Sequence, residues 1–276
     1  MKKLLSLGMI LAMTLAIGAG CGGDTTTGGD TTQPETITVG ASPTPHAEIL
    51  EVVKPILADQ GYDLQIVEFT DYVMPNMSLD SGDLDANYFQ HAPYLDDFNA
   101  NNGTDLVSIA QIHYEPVGLY AGKVASIDEL TEGATIGVPA DTTNEARALL
   151  LLESAGLITL DPEAGITATP YDITENPLNL QITEVEAAQL PRSLQDLDMA
   201  VINGNYALQA DLSAATDALT AESADSLAAE TYANILVVKA GNEEEPKLQA
   251  LAAAMQSEAV REFINEAYNG NVQAIF

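Results

Sequence analysis

The sequence has little positive charge, little histidine and almost no cysteine. Its 276 residues include 9 Lys+Arg, 3 His, one Cys and no Trp, against 41 Asp+Glu, which gives a formal net charge of −32. A surface this acidic repels phosphate backbones and excludes a nucleic-acid partner. One Cys excludes an intrachain disulfide framework and a multi-Cys metal centre. Three His leave little for a histidine-based site, so we expect neither metal nor cofactor.

The remaining composition is that of a globular protein. Hydrophobic residues make up 46% of the chain and the mean hydropathy is +0.06, which rules out disorder for most of it. At about 100–200 residues per domain, the length predicts two domains of modest size. The acidic excess is typical of a salt-adapted surface, and it disfavours strongly anionic ligands unless a local cation offsets the field.

The first twenty residues are organised as an export signal. Two lysines near the start are followed by an apolar run over residues 4–17 and by three small residues directly before Cys21. The run is shorter than the ~20 apolar residues of a membrane-spanning helix, so we predict a signal peptide over residues 1–20. The small residues before the single Cys resemble a bacterial lipoprotein signal. That resemblance implies that Cys21 is lipidated and anchors an extracytoplasmic protein to the cell membrane.

Residues 21–35 are rich in Gly, Thr and Asp and lack apolar anchors, which predicts a flexible tether. Beyond them, short apolar β-prone runs alternate with helix-length segments, as in the pair Thr135–Pro139 and 143–155. This alternation predicts an α/β fold with mostly parallel sheets flanked by helices. We also predict a strand at Ile166–Thr169 and a short helix interrupted at Pro75. The sequence has no nucleophile elbow, phosphate loop or Cys/His metal spacing.

Three strings carry a family resemblance. Residues 69–76 include Asp-Tyr-Val-Met-Pro, residues 89–95 read Phe-Gln-His-Ala-Pro-Tyr-Leu, and residues 143–152 read Thr-Asn-Glu-Ala-Arg-Ala-Leu-Leu-Leu-Leu. Together with Leu-Pro-Arg-Ser-Leu at 190–194 and Ala-Val-Ile-Asn at 200–203, they resemble the methionine-binding lipoproteins that feed an ABC importer. The resemblance runs from Ile37 to the C-terminus. It implies a two-lobed periplasmic-binding-protein fold of type II that closes on L-methionine and delivers it to the permease and ATPase subunits.

The two lobes of that fold are joined by two chain crossings. We expect the crossings where one lobe's strand ends and the other's begins, near Tyr120–Gly122 and near Thr231–Asn234. Lobe 1 would then comprise residues 36–120 and 232–276, and lobe 2 residues 121–231. In open α/β sheets, ligands bind beyond the carboxyl ends of the strands, which is where the strings around His91 and Asn203 fall.

Arg147 is the candidate partner of the ligand's carboxylate. It is one of three Arg in the chain, and a guanidinium presents a fork that fits a carboxylate bidentately. The resemblance implies this role for Arg147. It also implies that four residues enclose the thioether and that two amides bind the amino and carboxylate groups, with Asn144 orienting the Arg147 helix. The predicted ligand-binding residues are Tyr72, Phe89, His91, Tyr94, Asn144, Arg147, Asn203 and Asn234.

Other functions stay open at this point. Glu115 and Glu184 are candidates for the ammonium counter-charge on chemical grounds alone. A binding protein of the same fold could take another amino acid, a short methionyl peptide, or an aromatic or sulfonated solute. An enzyme on this fold would need a nucleophile or a base poised in the cleft, and the sequence shows none. We therefore expect a binding protein and no enzyme.

Overall fold

The computed structural model describes residues 33–223 and 230–276, where two β-sheets carry the fold. The predicted signal peptide, Cys21 and most of the predicted tether lie outside the described residues. The first strand already begins at Glu35, the last residue of the predicted tether, because Glu35 pairs with Tyr62 of the neighbouring strand. No helix in the described ranges combines the length and the apolar character that crossing a membrane requires.

The strands and helices follow the predicted alternation. The strands are β1 (Glu35–Ala41), β2 (Tyr62–Glu68), β3 (Ala86–His91), β4 (Leu106–Tyr114), β5 (Gly118–Ala121), β6 (Thr135–Pro139), β7 (Thr159–Leu160), β8 (Ile173–Glu175), β9 (Gln181–Val185), β10 (Met199–Ile202), β11 (Ala218–Ala221), β12 (Asn234–Lys239) and β13 (Gln273–Ala274). The helices are α1 (Glu48–Ala58), α2 (Met74–Ser81), α3 (Ala92–Asn102), α4 (Thr142–Ser154), α5 (Leu190–Ser193), α6 (Gly204–Gln209), α7 (Pro246–Met255) and α8 (Glu258–Tyr268).

The first sheet has six strands in the order β13-β4-β12-β3-β1-β2. Because successive side chains of a strand point to opposite faces, β12 contributes to two cores. Leu236 and Val238 pack with α1, α7 and α8 on one face, whereas Ile235 and Val237 pack with α2 and α3 on the other. Helices therefore cover both faces of this sheet.

The second sheet has five strands in the order β11-β5-β10-β6-β9. Its central strand β10 also alternates between two cores. Met199 and Val201 pack against the apolar face of α4, and Ala200 and Ile202 pack with α5 and α6. The leucine run of α4 is buried here, which explains why a helix of thirteen residues is apolar over much of its circumference.

The strand directions differ from the prediction of mostly parallel sheets. Strands β1, β2 and β3 are parallel to one another, as are β10, β6 and β9, and helices connect the first set. However, β12 is antiparallel to both β3 and β4, and β5 is antiparallel to β10 and β11. Strand β5 is entered from β4 of the opposite sheet through residues 115–117 without a helical crossover, so nothing forces a parallel pairing on it. The sheets are mixed.

The chain passes between the sheets earlier than predicted. β4 ends at Tyr114 in the first sheet and β5 begins at Gly118 in the second, so the first passage is at residues 115–117 and not at 120–122. The reason is that the whole of β5 is hydrogen-bonded to β10. The return lies between the end of β11 at Ala221 and the start of β12 at Asn234, so the predicted crossing at Thr231–Asn234 overlaps its end.

Two local predictions are corrected. The predicted strand at Ile166–Thr169 is a one-turn 3-10 helix at Gly165–Thr167, where a Gly with φ of 52° bends the chain. Pro75 does not interrupt a helix. It lies in the first turn of α2, where the missing N–H of proline has no helical partner to lose.

Candidate functional site

Strand ends from both sheets surround a cavity that twelve residues line. The structure brings all eight residues of the predicted binding set to the wall of this cavity. Four further residues line it that the binding set did not contain, of which only Glu115 had been considered on chemical grounds. The lining residues are Tyr72, Phe89, Gln90, His91, Tyr94, Glu115, Asn144, Arg147, Asn203, Gly204, Asn205 and Asn234.

The first sheet presents its residues through the end of β3 and the start of β12. His91 is the last residue of β3 and the N-cap of α3, where its Nδ1 accepts the backbone N–H of Tyr94 at 3.2 Å. Asn234 is the first residue of β12 and pairs with His91 across the antiparallel ladder. A strand end and a helix start are thus held at one point, which fixes the direction of the His91 ring.

The second sheet presents its residues through two helix starts. Asp141 caps α4, with its Oδ1 accepting the backbone N–H of Asn144 at 3.0 Å and the side-chain amide at 2.8 Å. Arg147 lies three residues after Asn144, on the same buried face of the helix. Asn203 directly follows β10 and occupies the N-cap position of α6. These placements agree with the rule that ligands meet strand ends in α/β sheets.

Three rings form the aromatic side of the cavity. The ring centroid of Tyr72 lies 5.9 Å from that of Phe89 and 5.8 Å from that of Tyr94, and Tyr206 packs on Tyr72 at 4.9 Å. The Tyr94 hydroxyl donates to the backbone carbonyl of Tyr72 at 2.9 Å. These separations are those of favourable aromatic pairs. This side offers ring faces and edges to an apolar or sulfur-containing group.

An amide cluster spans the cavity. His91 Nε2 donates to Asn144 Oδ1 at 3.1 Å, and the same oxygen accepts Asn203 Nδ2 at 2.7 Å. Burial, reinforced by the charge of Arg147, lowers the pKa of His91 to about 3, so the imidazole is neutral. Within the described ranges, the buried Asn203 Oδ1 and Asn205 Nδ2 have no hydrogen-bond partner. One acceptor and one donor are therefore available to a polar ligand.

Arg147 is held by an internal carboxylate that the sequence did not reveal. Its Nε donates to Glu222 Oε1 at 2.8 Å, and its Nη2 donates to Glu222 Oε2 at 2.6 Å and to the backbone carbonyl of Glu115 at 2.8 Å. Glu222 also accepts the Tyr114 hydroxyl and the Val117 N–H. Burial alone would raise the pKa of Glu222, but the Arg147 charge outweighs it and the pKa is lowered. The predicted two-nitrogen fork is thus engaged inside the protein, and Nη1 is the nitrogen left for a ligand.

A second buried network surrounds Glu115. Its Oε1 lies 2.6 Å from His113 Nε2 and 3.4 Å from His46 Nε2, and His46 Nε2 is 2.9 Å from Asn234 Oδ1. The other nitrogen of His113 bonds the Tyr88 hydroxyl. Burial raises the pKa of Glu115 and lowers those of His46 and His113 to about 4 and about 3. At neutral pH both imidazoles are therefore uncharged.

His46, His113 and Glu115 are also the residues that could approach a metal ion. Their ligand atoms lie within 4.8 Å of one another, the one such group among the residues that the structure describes. Hydrogen bonds to Glu115 and Asn234 already use both Nε2 atoms, and the Tyr88 hydroxyl uses His113 Nδ1. His46 Nδ1 is the one imidazole nitrogen of this group that is buried without a hydrogen-bond partner in the described chain. Because the other ligand atoms are already hydrogen-bonded, we assign the group no metal.

Glu184, the other acid considered for an ammonium partner, does not line the cavity. It is exposed on β9 and faces Glu145 of α4. Burial, followed by the charge of Glu184, raises the pKa of Glu145 to about 7. Glu145 is buried in the first turn of α4, so the two acids form a carboxyl pair outside the cavity wall. Glu184 is thus an exposed carboxylate, and of the two candidate acids only Glu115 lines the cavity.

Comparison with known proteins extends over nearly the whole described chain. The profile of the NlpA lipoprotein family matches residues 37–276. The membrane lipoprotein TpN32 of Treponema pallidum is 44% identical over 236 residues, 86% of this chain and 87% of the relative. The D-methionine-binding lipoprotein MetQ of Salmonella typhimurium is 41% identical over 255 residues, 91% of this chain and 90% of the relative.

Solved structures give the same answer for the fold. The nutrient-binding protein of Burkholderia cenocepacia, solved bound to methionine, superposes with a TM-score of 0.83 at 45% identity, covering 87% of this chain and all (100%) of that one. The two-lobed α/β class predicted from the sequence is confirmed. The chain belongs to the NlpA lipoprotein family.

Proposed function

We propose that the protein captures methionine as a zwitterion in the cavity between the two sheets. The observation that carries the proposal is the division of the cavity wall into an aromatic side and a side of buried amides and charges. The relatives support it, since one is named for D-methionine and another was solved with methionine bound.

Each part of methionine has a counterpart in the wall. Arg147 Nη1 binds the carboxylate, with the amides of Asn203 and Asn234 beside it. Glu115 faces the ammonium group. The rings of Tyr72, Phe89 and Tyr94, with His91, enclose the thioether, and each sulfur–aromatic contact contributes ~0.3–1.5 kcal/mol. Asn144 holds His91 and Asn203 in register through one shared oxygen.

Binding closes two lobes on the ligand in this proposal. Lobe 1 is the six-stranded sheet with its helices, lobe 2 is the five-stranded sheet, and the passages at 115–117 and after β11 join them. Tyr72 donates to Asn205 at 2.5 Å and His91 to Asn144 at 3.1 Å, each from one sheet's side to the other's. A ligand that touches both sides adds to these contacts and favours the closed form.

The experiment uses the protein freed of copurified ligand by unfolding and refolding, with mass spectrometry of what is released. Calorimetric titration then compares L-methionine, D-methionine, leucine, phenylalanine, a methionyl dipeptide and a sulfonate such as taurine. We expect methionine in the released fraction and tighter binding of methionine than of any other solute. Absence of methionine together with no measurable binding of either enantiomer would refute the proposal.

We further propose that the protein is a non-catalytic, extracytoplasmic lipoprotein that delivers its ligand to the permease and ATPase of an ABC importer. None of the twelve lining residues is Ser, Thr, Cys or Lys, so the cavity wall offers no activated nucleophile of those types. The anchor is the lipid on Cys21. A Cys21→Ser variant should move from the membrane to the soluble fraction, whereas unchanged membrane association would show that the apolar segment itself holds the protein.

A further inference from the structure

Behind the cavity wall, Tyr88 and His113 form a fully buried chain of hydrogen bonds that ends at Glu115. Tyr88 and His113 are both completely inaccessible to solvent, and neither lines the cavity. Tyr88 bonds His113 Nδ1, and His113 Nε2 lies 2.6 Å from Glu115 Oε1. Only the last member, Glu115, reaches the ligand space. This chain of hydrogen bonds therefore lies outside the binding site described above and acts on it only through the Glu115 carboxylate.

The direction of these hydrogen bonds follows from the chemistry of a neutral imidazole, which has one donor and one acceptor nitrogen. A carboxylate can only accept, so His113 Nε2 carries the proton and donates to Glu115. Nδ1 is then the acceptor, and the Tyr88 hydroxyl donates to it. The Tyr88 hydroxyl thus selects the tautomer that presents an N–H to Glu115. Without that hydroxyl, the proton could move to Nδ1 and leave two acceptors facing each other.

Glu115 has no paired cation among the described residues around it. Its neighbours in space are the neutral His46 and His113, the backbone N–H of Asn205, and Arg147, whose guanidinium reaches only the backbone carbonyl of Glu115. The Arg147 charge is paired with Glu222. In the described chain no Lys or Arg side chain forms an ion pair with the Glu115 carboxylate. A buried carboxylate without a cation is costly, and a ligand ammonium supplies the missing charge.

We propose that Tyr88 and His113 are positioning residues for ammonium recognition, which hold Glu115 as an oriented carboxylate and so make the site select α-amino acids over the same molecules without the amino group. The proposal rests on the proposed function and deepens it. The close approach of Gly204 supports the idea of an oriented group. A Cβ there would lie 2.7 Å from the Glu115 Cβ and 2.8 Å from its Oε2, so little freedom remains for the carboxylate.

The test compares two ligands in each variant. L-methionine carries the ammonium, and 4-(methylthio)butanoate is the same molecule without it. The ratio of their dissociation constants isolates the ammonium contact, because damage to the fold or to the thioether pocket weakens both ligands alike. Tyr88→Phe allows the His113 proton to leave Nε2, which removes the hydrogen bond to the Glu115 carboxylate, so we expect the ratio to fall by about tenfold or more.

Two variants of His113 and one control complete the experiment. His113→Gln keeps an N–H that can reach Glu115 and should retain most of the selectivity. His113→Leu removes the donor and should lose as much selectivity as Tyr88→Phe. Tyr120→Phe deletes another buried hydroxyl, in the second sheet, and should leave the ratio unchanged. If His113→Leu fails to fold, the ratios measured for Tyr88→Phe and His113→Gln still test whether Tyr88 and His113 position Glu115.

The outcomes separate this inference from the function on which it rests. If the unmodified protein binds neither ligand, both are overturned. A second outcome is that the unmodified protein binds methionine while Tyr88→Phe and His113→Leu keep the wild-type ratio of dissociation constants and lower only the melting temperature. In that case the Tyr88–His113 hydrogen bonds serve only the stability of the fold, and this inference fails while the proposed function stands. If the unmodified protein binds both ligands equally, Glu115 does not meet an ammonium and the inference again fails while the cavity's affinity for the thioether stands.

Discussion

The two sides of the cavity are built on different principles. On the aromatic side, Tyr72, Phe89 and Tyr94 pack through ring contacts of 5.8–6.1 Å, and ring packing tolerates small displacements. On the ionic side, Arg147 and Glu222 meet in two hydrogen bonds of 2.6–2.8 Å, which join Nε and Nη2 to the two carboxylate oxygens. Losing a buried ionic partner leaves a charge unpaired, whereas losing part of a ring leaves only a void. The two sides should therefore respond to mutation in different ways.

The largest expected effect is on the ionic side, from Arg147→Ala. The substitution removes the cation that binds the ligand's carboxylate, and it leaves Glu222 buried without its cationic partner. Removing one partner of a buried charge pair costs on the order of 3–5 kcal/mol, which in binding is about two to four decades of affinity. We expect methionine binding to be nearly abolished in calorimetry and the free energy of unfolding to fall as well in urea titrations.

A double variant separates the two losses. Arg147→Ala combined with Glu222→Gln removes the unpaired carboxylate charge, so it should recover part of the unfolding free energy but none of the methionine affinity. Arg192→Ala, at an exposed arginine on α5, serves as the control and should change neither. Binding by Arg147→Ala within about threefold of wild type, less than 1.4 kcal/mol, would mean that the carboxylate is held elsewhere.

On the aromatic side, Tyr72→Ala should cost less. The ring buries apolar surface and its hydroxyl donates to Asn205 across the cavity. Loss of a partly buried ring with its contacts is expected to reduce methionine affinity by about one to two decades, roughly 1.4–3 kcal/mol. It should also erode selectivity for methionine over leucine, because the sulfur–ring contact is lost.

Tyr72→Phe is the matched variant for this side. It keeps the ring and removes only the hydroxyl, so it should keep the preference for methionine over leucine while losing some affinity for both. Equal selectivity in Tyr72→Ala and the wild type would show that the thioether does not contact this ring. Tyr72 would then not belong to the side of the cavity that binds the thioether.

The same contrast explains what the sequence could reveal. The aromatic side comes from a short stretch of the chain, and the string around His91 contains two of its three rings, Phe89 and Tyr94. The ionic side depends on Glu222, which lies far along the chain from Arg147 and is one of 41 acids with no local pattern to distinguish it. The signal for Glu115 was faint but present, since an acid between the apolar residues of β4 and β5 is unusual.

At the level of the fold, the sequence pattern predicted the alternation of strands and helices, including strand Thr135–Pro139 and the helix that follows it. It could not predict strand direction. The antiparallel placement of β12 depends on where the chain returns from the second sheet, which is a property of the whole fold and not of residues 234–239. For the same reason, the first passage was placed inside β5, whose apolar sequence fits either sheet.

His91 lies between the two sides and provides a smaller, pH-dependent effect. Its pKa is lowered to about 3 in the folded protein against 6.5 for the free side chain, first by burial and then by Arg147. Between these values the unfolded chain binds more protons than the folded one, so falling pH removes stability at up to about 1.4 kcal/mol per pH unit.

The measurement is urea unfolding of the wild type and His91→Gln at pH 8, 6, 5 and 4. The wild type should lose stability relative to the variant as the pH falls below about 6.5, and the difference should be constant above pH 7, which serves as the internal control. A difference that does not change between pH 6 and 4 would show that His91 is protonated or solvated in the folded state.

The smallest effect separates the buried ionic side from the exposed acidic surface. The chain has a formal net charge of −32, and close surface carboxylates repel each other with a force that salt screens over about 8 Å at 0.15 M and about 3 Å at 1 M. Melting temperature should therefore rise with sodium chloride, by about 2–4 °C for each kcal/mol of repulsion removed. Arg147 and Glu222 are only 4% and 9% exposed, so methionine affinity should stay nearly constant over the same range. The rise in melting temperature should level off as screening becomes complete, which distinguishes it from the general strengthening of apolar burial by excluded salts.

A melting temperature that is flat from low salt to 1 M would remove the salt-adapted interpretation of the surface. Affinity that falls steeply with salt would show that the guanidinium is reached by solvent, and the distinction between a rigid, dry ionic side and a tolerant aromatic side would not hold.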